Sequence, residues 1–314
     1  MRGMLWSARF VVTSSVRRIG QTIGIESDDA RSIARPHTRM NIVGLDVGFA
    51  RNRPTSGVAH FGNAKLTVDH ATADWADRRR ALGSVCDADV AAIDAPVVPD
   101  IEHGQRAVER LLSGGLFQRR CKPGASHVQG TGSELRRAGR DTAGQLAHIT
   151  SDRRLSRQFP RVWETRNIVE AFPNAFLGVC VEDTVYQEAP KLRRGKKFDW
   201  LYNEWVKIDL FSKLGALLGL DDSVVADTCK KNAHHEERAA LVCLFTAASV
   251  ASGTYVAVGE DVGGYIFLPP WGIWSRWAQE EVERQRQRHP AVKVWIDGVS
   301  FASTEALPNV SASQ

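Results

Sequence analysis

The sequence predicts one α/β domain, entered at about Met40. Its core is a mixed five-stranded sheet flanked by helices, with a helical insertion between strands 4 and 5. Three observations carry that expectation. Two short apolar runs, residues 41–46 and 90–94, each stop at an aspartate, the pattern of a buried strand that ends at a polar edge. Between them lie two more strand-like runs joined at Gly62-Asn63, followed by one stretch of helical spacing. The chain of 314 residues is 43% hydrophobic and 25% charged, which is enough apolar material for a substantial core.

The elements follow in order. Residues 41–46 (NIVGLD) read as the first strand, and residues 47–55, with Gly48, Arg51, Asn52 and Pro54, as a loop. Residues 56–61 are the second strand, and residues 65–70 alternate as the third. Residues 75–85 have helical spacing. Residues 90–94 (VAAID) are the fourth strand, and Pro96 stops it because proline has no N–H to give the ladder. Three strands, a helix and a strand make the opening of an RNase H-like fold, whereas a dinucleotide-binding domain opens strand–helix–strand.

Residues 100–166 read as a basic helical insertion, with thirteen Arg and Lys against seven Asp and Glu and a glycine-rich loop at 121–132. Residues 166–172 are the fifth strand, carrying Glu170 and stopped by Pro173. Residues 178–233 are mixed and include the basic run 191–197 (KLRRGKK). Residues 234–248 read as a helix with a polar first turn and an apolar body, and residues 254–258 and 264–268 as a hairpin. The domain is expected to close near residue 270, leaving 271–314 as a tryptophan-rich helix, a short strand at 292–296 and a tail. In residues 1–39, Arg2, Arg9, Arg17 and Arg18 all precede the first acid, Glu26. That composition is similar to an organelle transit peptide, and the plainer reading is an upstream-extended start or a loose arm.

Cys86, Cys121, Cys180, Cys229 and Cys243 are scattered, with no Cys-x-x-Cys pair. The expectation is reduced, buried thiols in a cytoplasmic protein rather than a disulfide framework or a zinc site. No apolar run approaches the roughly 18 residues of a membrane span. The net charge of +5 suits a polyanionic partner without requiring one.

The chemistry is expected at the acids. Asp46, Asp94 and Glu170 end consecutive core strands, and Glu236 and Glu237 open the helix that would pack on that sheet. Clustered carboxylates repel one another unless a cation sits among them. Hard oxygen donors suit Mg²⁺ or Mn²⁺, which bind phosphate oxygens and activate water. Each acid taken alone has a plainer role as a strand-end or helix-start residue.

The segments IVGLDVGFARNRPTSGVAHF, VAAIDAPV, IVEAFPNA, HHEERAALVCLFTA and VAVGEDVGGYIFLPP resemble a family known only as a domain of unknown function, whose members are described as predicted RNase H-like nucleases. The resemblance spans residues 40–270. The opening segment is also similar to the first strand of Holliday-junction resolvases. The resemblance implies a divalent-metal-dependent nuclease with Asp46 as first ligand, Asp94 as the acid ending the fourth strand and Glu236 as the acid opening the last helix. Resolvase helices carry a further acid where this chain has Ala239, so either Glu237 substitutes or a ligand is missing. Glu170 matches a recurrent Glu of the unknown family and is expected to touch metal, substrate or a basic neighbour.

The expected partner is nucleic acid, DNA or RNA alike. Arg119, Arg120, Lys122, Arg136, Arg137 and Arg140 are candidate phosphate contacts, against a plain solvated face. His127, His148, His234 and His235 are candidates to orient water, against caps and surface positions. Trp271, Trp274 and Trp277 are candidates for base stacking, against packing. Two other readings compete with the nuclease. One is a non-catalytic nucleic-acid-binding module, which Ala239 favours. The other is an actin-like phosphotransferase, which needs a second copy of the core that the sequence does not contain.

Overall fold

The computed structural model describes residues 40–98, 105–121, 126, 130–152, 163, 165–192, 196–220 and 222–300. The expectations for residues 1–39, Lys122 and His127 lie outside these. The opening matches the reading in order: β1 (Ile42–Asp46), β2 (Ser56–Gly62), β3 (Lys65–Ala71), α1 (Trp75–Leu82) and β4 (Val90–Ile93). The insertion holds α2 (Ala107–Leu112), α3 (Gly115–Arg120) and α4 (Thr131–Ala147) before β5 (Ile168–Ala171). Then come α5 (Pro173–Gly178), α6 (Asp183–Gln187), α7 (Lys197–Lys207), α8 (Leu210–Leu218) and α9 (Asp222–Lys231). The chain continues through α10 (His235–Ser252), β6 (Val256–Glu260), β7 (Gly264–Leu268), α11 (Arg276–Arg288), β8 (Lys293–Ile296) and β9 (Val299–Ser300).

The sheet is mixed and has nine strands in the order β3-β2-β1-β4-β5-β7-β6-β8-β9, not five. β1, β4, β5 and β7 run parallel, and antiparallel strands flank them on both sides. The difference has a backbone cause. The free edge of a buried β5 would leave N–H and C=O groups without partners. The 256–268 hairpin, whose two strands are apolar and buried while Val262 at its turn is exposed, pairs with that edge through Glu170↔Ile266 and Ala171↔Phe267. β8, the short strand expected at 292–296, pairs with β6, and β9, which was not expected, pairs with β8, so the sheet takes two strands from beyond residue 270. One outer strand, β3, is largely polar, with Lys65, Asp69 and His70 exposed, which suits an edge facing water.

Alternating residues of β1 enter two cores. Ile42 joins Ala92, Val169 and the body of α10 on one face. Val43 and Leu45 join Ala91, Ile93, Leu82, Ala143 and Leu146 on the other. α10 is buried continuously from Ala239 to Val250, as expected of a helix apolar on every side. It lies directly on β1: a Cβ at Gly44 would stand 2.2 Å from the backbone N of Leu244. The helix starts at His234, with Glu236 and Glu237 in its first turn, and stops at left-handed Gly253 (φ 79°).

Candidate active site

Parallel pairing of β1 with β4 sets Leu45 beside Ile93, and each strand then runs on by one residue into an aspartate. The Asp94 N–H donates to the Leu45 carbonyl at 3.0 Å, so Asp46 and Asp94 stand side by side at the carboxyl edge of the sheet. Across the antiparallel β1–β2 pair, Asp46 faces Gly57. A Cβ on Gly57 would lie 1.8 Å from the Glu236 carbonyl oxygen. Only glycine therefore lets the first turn of α10 rest there and bring Glu236 toward Asp46.

The electrostatics follow from that convergence. Burial, then the charges of Asp94 and Glu236, raise the Asp46 carboxyl well above its ordinary range, and Arg78 opposes them. Burial and the neighbouring Glu170 push Asp94 up to about 7. Two carboxylates held in this way resist ionising together.

Arg78 went unnoticed in the sequence. It lies on α1 four residues before Leu82, spacing that sets both on the buried helix face. Among the described residues its guanidinium donates to neutral acceptors: the Gly48 carbonyl (2.8 Å), Ser56 Oγ (2.9 Å), Thr142 Oγ1 (2.8 Å) and Gln145 Oε1 (2.9 Å). Burial lowers its pKa to about 10. It remains a fixed positive charge near Asp46, and it ties α4 of the insertion to the loop that follows β1.

Glu170 and Glu237 are otherwise engaged. The Arg106 guanidinium grips both oxygens of buried Glu170 at 2.7 Å each, and also holds Glu109. Of the three roles expected for Glu170, the contact seen is the basic neighbour. Glu237 Oε1 lies 3.1 Å from His70 Nδ1, and its Oε2 accepts from Asn232 at 2.6 Å. Position 239 is a buried alanine. Of the five expected acids, Asp46, Asp94 and Glu236 are the ones with no such side-chain partner among the described residues. Among the described residues, no group of three or more His, Cys, Asp or Glu side chains is assembled to hold a metal ion.

The insertion reaches this edge. Leu135 of α4 shares a cleft with Asp94, Pro96, Arg106, Glu170 and Phe172. Arg137 and Arg140 of α4 are exposed, and Arg136 donates to Ser126 Oγ at 3.3 Å. Arg119 is exposed, and Arg120 pairs with Asp183 while stacking on Tyr186 and Trp277. Trp274 and Trp277 are packing residues, buried with their ring N–H groups on the Pro269 and Val181 carbonyls, and Trp271 packs on Trp274. His148 and His234 cap helix ends at the surface, and exposed His235 pairs with Asp199. All five cysteines are free, and all but Cys86 are buried. Among the described residues, no helix is long and apolar enough to cross a membrane.

Comparison of the chain with protein-family models, curated proteins and solved structures finds no match. The family resemblance rests on the quoted segments alone.

The Asp46–Asp94 pair predicts an unusual pH dependence. The folded protein holds a proton at Asp94 up to about 7, against an ordinary 3.8. That contribution to stability is fully present below the unfolded value and is lost as pH rises through the folded one. In chelator, the stability gain from Asp94→Asn should therefore grow between about pH 4 and pH 7 and level off above. Urea unfolding of both proteins across that range measures it, and a pH-independent difference sinks the idea.

Proposed function

We propose that this protein is a divalent-metal-dependent nuclease built on an RNase H-like core, hydrolysing nucleic-acid phosphodiester bonds. The observation that carries the reading is the side-by-side placement of Asp46 and Asp94 at the end of adjacent parallel strands, with Glu236 delivered from α10. The spatial order β3-β2-β1-β4-β5, with only the first three strands antiparallel, supports the core assignment.

The donor set fits Mg²⁺ or Mn²⁺. Such ions accept one or two carboxylates and complete their shell with water and substrate phosphate, so the Asp46–Asp94 pair suffices without a third protein ligand. Burial and then neighbouring carboxylates raise the proton affinity of Asp46 and Asp94, and a shared cation would relieve both. When bound, the metal supplies charge stabilisation and water activation. Asp46 and Asp94 would hold it. Glu236, at the helix start, would accept the proton of an attacking water. Arg78 favours the ionised form of Asp46 and fixes the adjoining loop. Glu170, clamped by Arg106, keeps a negative charge beside Asp94 rather than offering free oxygens.

The engagement of Glu237 and the buried Ala239 favour a second reading, a nucleic-acid-binding module with an incomplete ligand set. End-labelled DNA and RNA incubated with the protein in Mg²⁺, Mn²⁺ or chelator separates the two. Cleavage that requires the metal supports the nuclease. Binding without cleavage in any metal, with no metal-dependent shift in melting temperature, replaces it with the module.

A further inference from the structure

The loop between β1 and β2 begins one residue after Asp46, and its base is rigidly built. Gly48 N–H donates to Ser56 Oγ (3.1 Å), and Ala50 N–H to Thr55 Oγ1 (3.4 Å). Ala73 N–H reaches the Ala50 carbonyl at 2.9 Å, and buried Arg78 clamps both Gly48 and Ser56 from beneath. On this base the loop turns one large apolar ring outward. Phe49 is 44% exposed, and Arg51, Asn52, Arg53 and Pro54 are exposed. Residues 47–55 contain two arginines and no acid, and among the described residues neither arginine makes a hydrogen bond or an ion pair.

An exposed ring costs hydrophobic free energy in water, and two unpaired guanidinium groups beside it add no stability. Together they match one ligand chemistry: a base stacked on the ring, with flanking phosphates held by the cations. A duplex hides its base faces, so the fit is to a single strand. We infer that Phe49, Arg51 and Arg53 form a binding site for single-stranded nucleic acid, which holds the strand beside the acidic edge. The inference rests on the proposed function and adds to it the form of substrate and the residues that grip it. The loop follows Asp46 directly, so a strand seated on it runs past the Asp46–Asp94 pair. The clamp by Arg78 keeps that spacing constant.

Fluorescence anisotropy with labelled single-stranded DNA and RNA oligonucleotides, in chelator so that nothing is cleaved, tests this on the full chain. Phe49→Ala should weaken binding by about 5- to 150-fold, the loss of one stacked base, and Phe49→Tyr should retain it. Arg51→Ala with Arg53→Ala should lower the slope of log affinity against log salt by about 1.4, two phosphate contacts on a single strand. Melting temperatures should stay unchanged, because the replaced groups are exposed and the base of the loop is untouched. Wild-type binding that none of the variants alters overturns this inference and leaves the nuclease reading standing. An effect of the arginines without one of Phe49 also overturns it, because the loop would then be a backbone contact only. Failure of the wild type to bind any oligonucleotide also overturns this inference, and the cleavage assay in Mg²⁺ or Mn²⁺ decides the nuclease reading separately.

Discussion

Asp46→Asn should abolish metal-dependent cleavage, by at least about 100-fold, while the chain folds as stably as before or more so. Both halves come from one fact. The carboxylate sits between Asp94 and Glu236 with only Arg78 to offset it, so its charge is a liability to the fold in the absence of a cation. The amide keeps the shape and removes that repulsion, and it also removes a hard donor that the cation needs. In chelator the variant should melt at or above the wild-type temperature, and added Mg²⁺ should raise the wild type more than the variant. A structural aspartate behaves oppositely: the amide lowers the melting temperature and leaves the metal response intact. Measuring both quantities on both proteins decides between them, and a variant that melts lower and still responds to Mg²⁺ removes Asp46 from the metal site.

Arg106→Met should be the most destabilising change in the neighbourhood, costing about 3–5 kcal/mol in urea unfolding. Arg106 is 3% exposed and binds Glu170 through two 2.7 Å hydrogen bonds. Removing it takes the cation from buried Glu170, both of whose oxygens rest on it, and one partner from Glu109. Replacing Glu170 by Leu in the same chain should recover a large part of the loss, because an apolar pair of similar volume carries no uncompensated charge. A loss below about 1 kcal/mol for Arg106→Met, the size of an exposed pair, would mean that water reaches the site and that the pair does not brace the edge. The bracing matters to the chemistry because Glu170 raises Asp94. An unclamped Glu170 would be free to move toward or away from it.

The acid pair was legible in the sequence because it depends on local rules. NIVGLD and VAAID are apolar runs too short for helices, and each stops at an aspartate, so both acids belong at strand ends. The strand–strand–strand–helix–strand order then makes β1 and β4 parallel neighbours, which sets Asp46 beside Asp94. The helix carrying Glu236 was equally plain, with a charged first turn ahead of an apolar body. The width of the sheet was not. Whether the 256–268 hairpin stands apart or extends the sheet depends on which backbone edge lacks a partner, and that edge belongs to β5, some ninety residues earlier. The pairing of β8 with β6 has the same reason, since it joins a strand beyond residue 270 to one before it.

By itself, the sequence determined the opening strands and helix, the long helix at 234–248, the hairpin after it and the acids that end or open these elements, because these follow from spacing along the chain. Only the tertiary structure decided which acids remain available. Glu170 and Glu237 look the same as Asp94 and Glu236 in one dimension. They differ because Arg106, sixty-four residues away, takes both oxygens of Glu170, and because His70 and Asn232 occupy Glu237. Arg78 is the converse case, an ordinary helix residue in the sequence that becomes a buried charge near Asp46 only once α1, α4 and the β1–β2 loop close around it. A carboxylate's partner is set by distance in space, and that distance exists only after the sheet and its helices have packed.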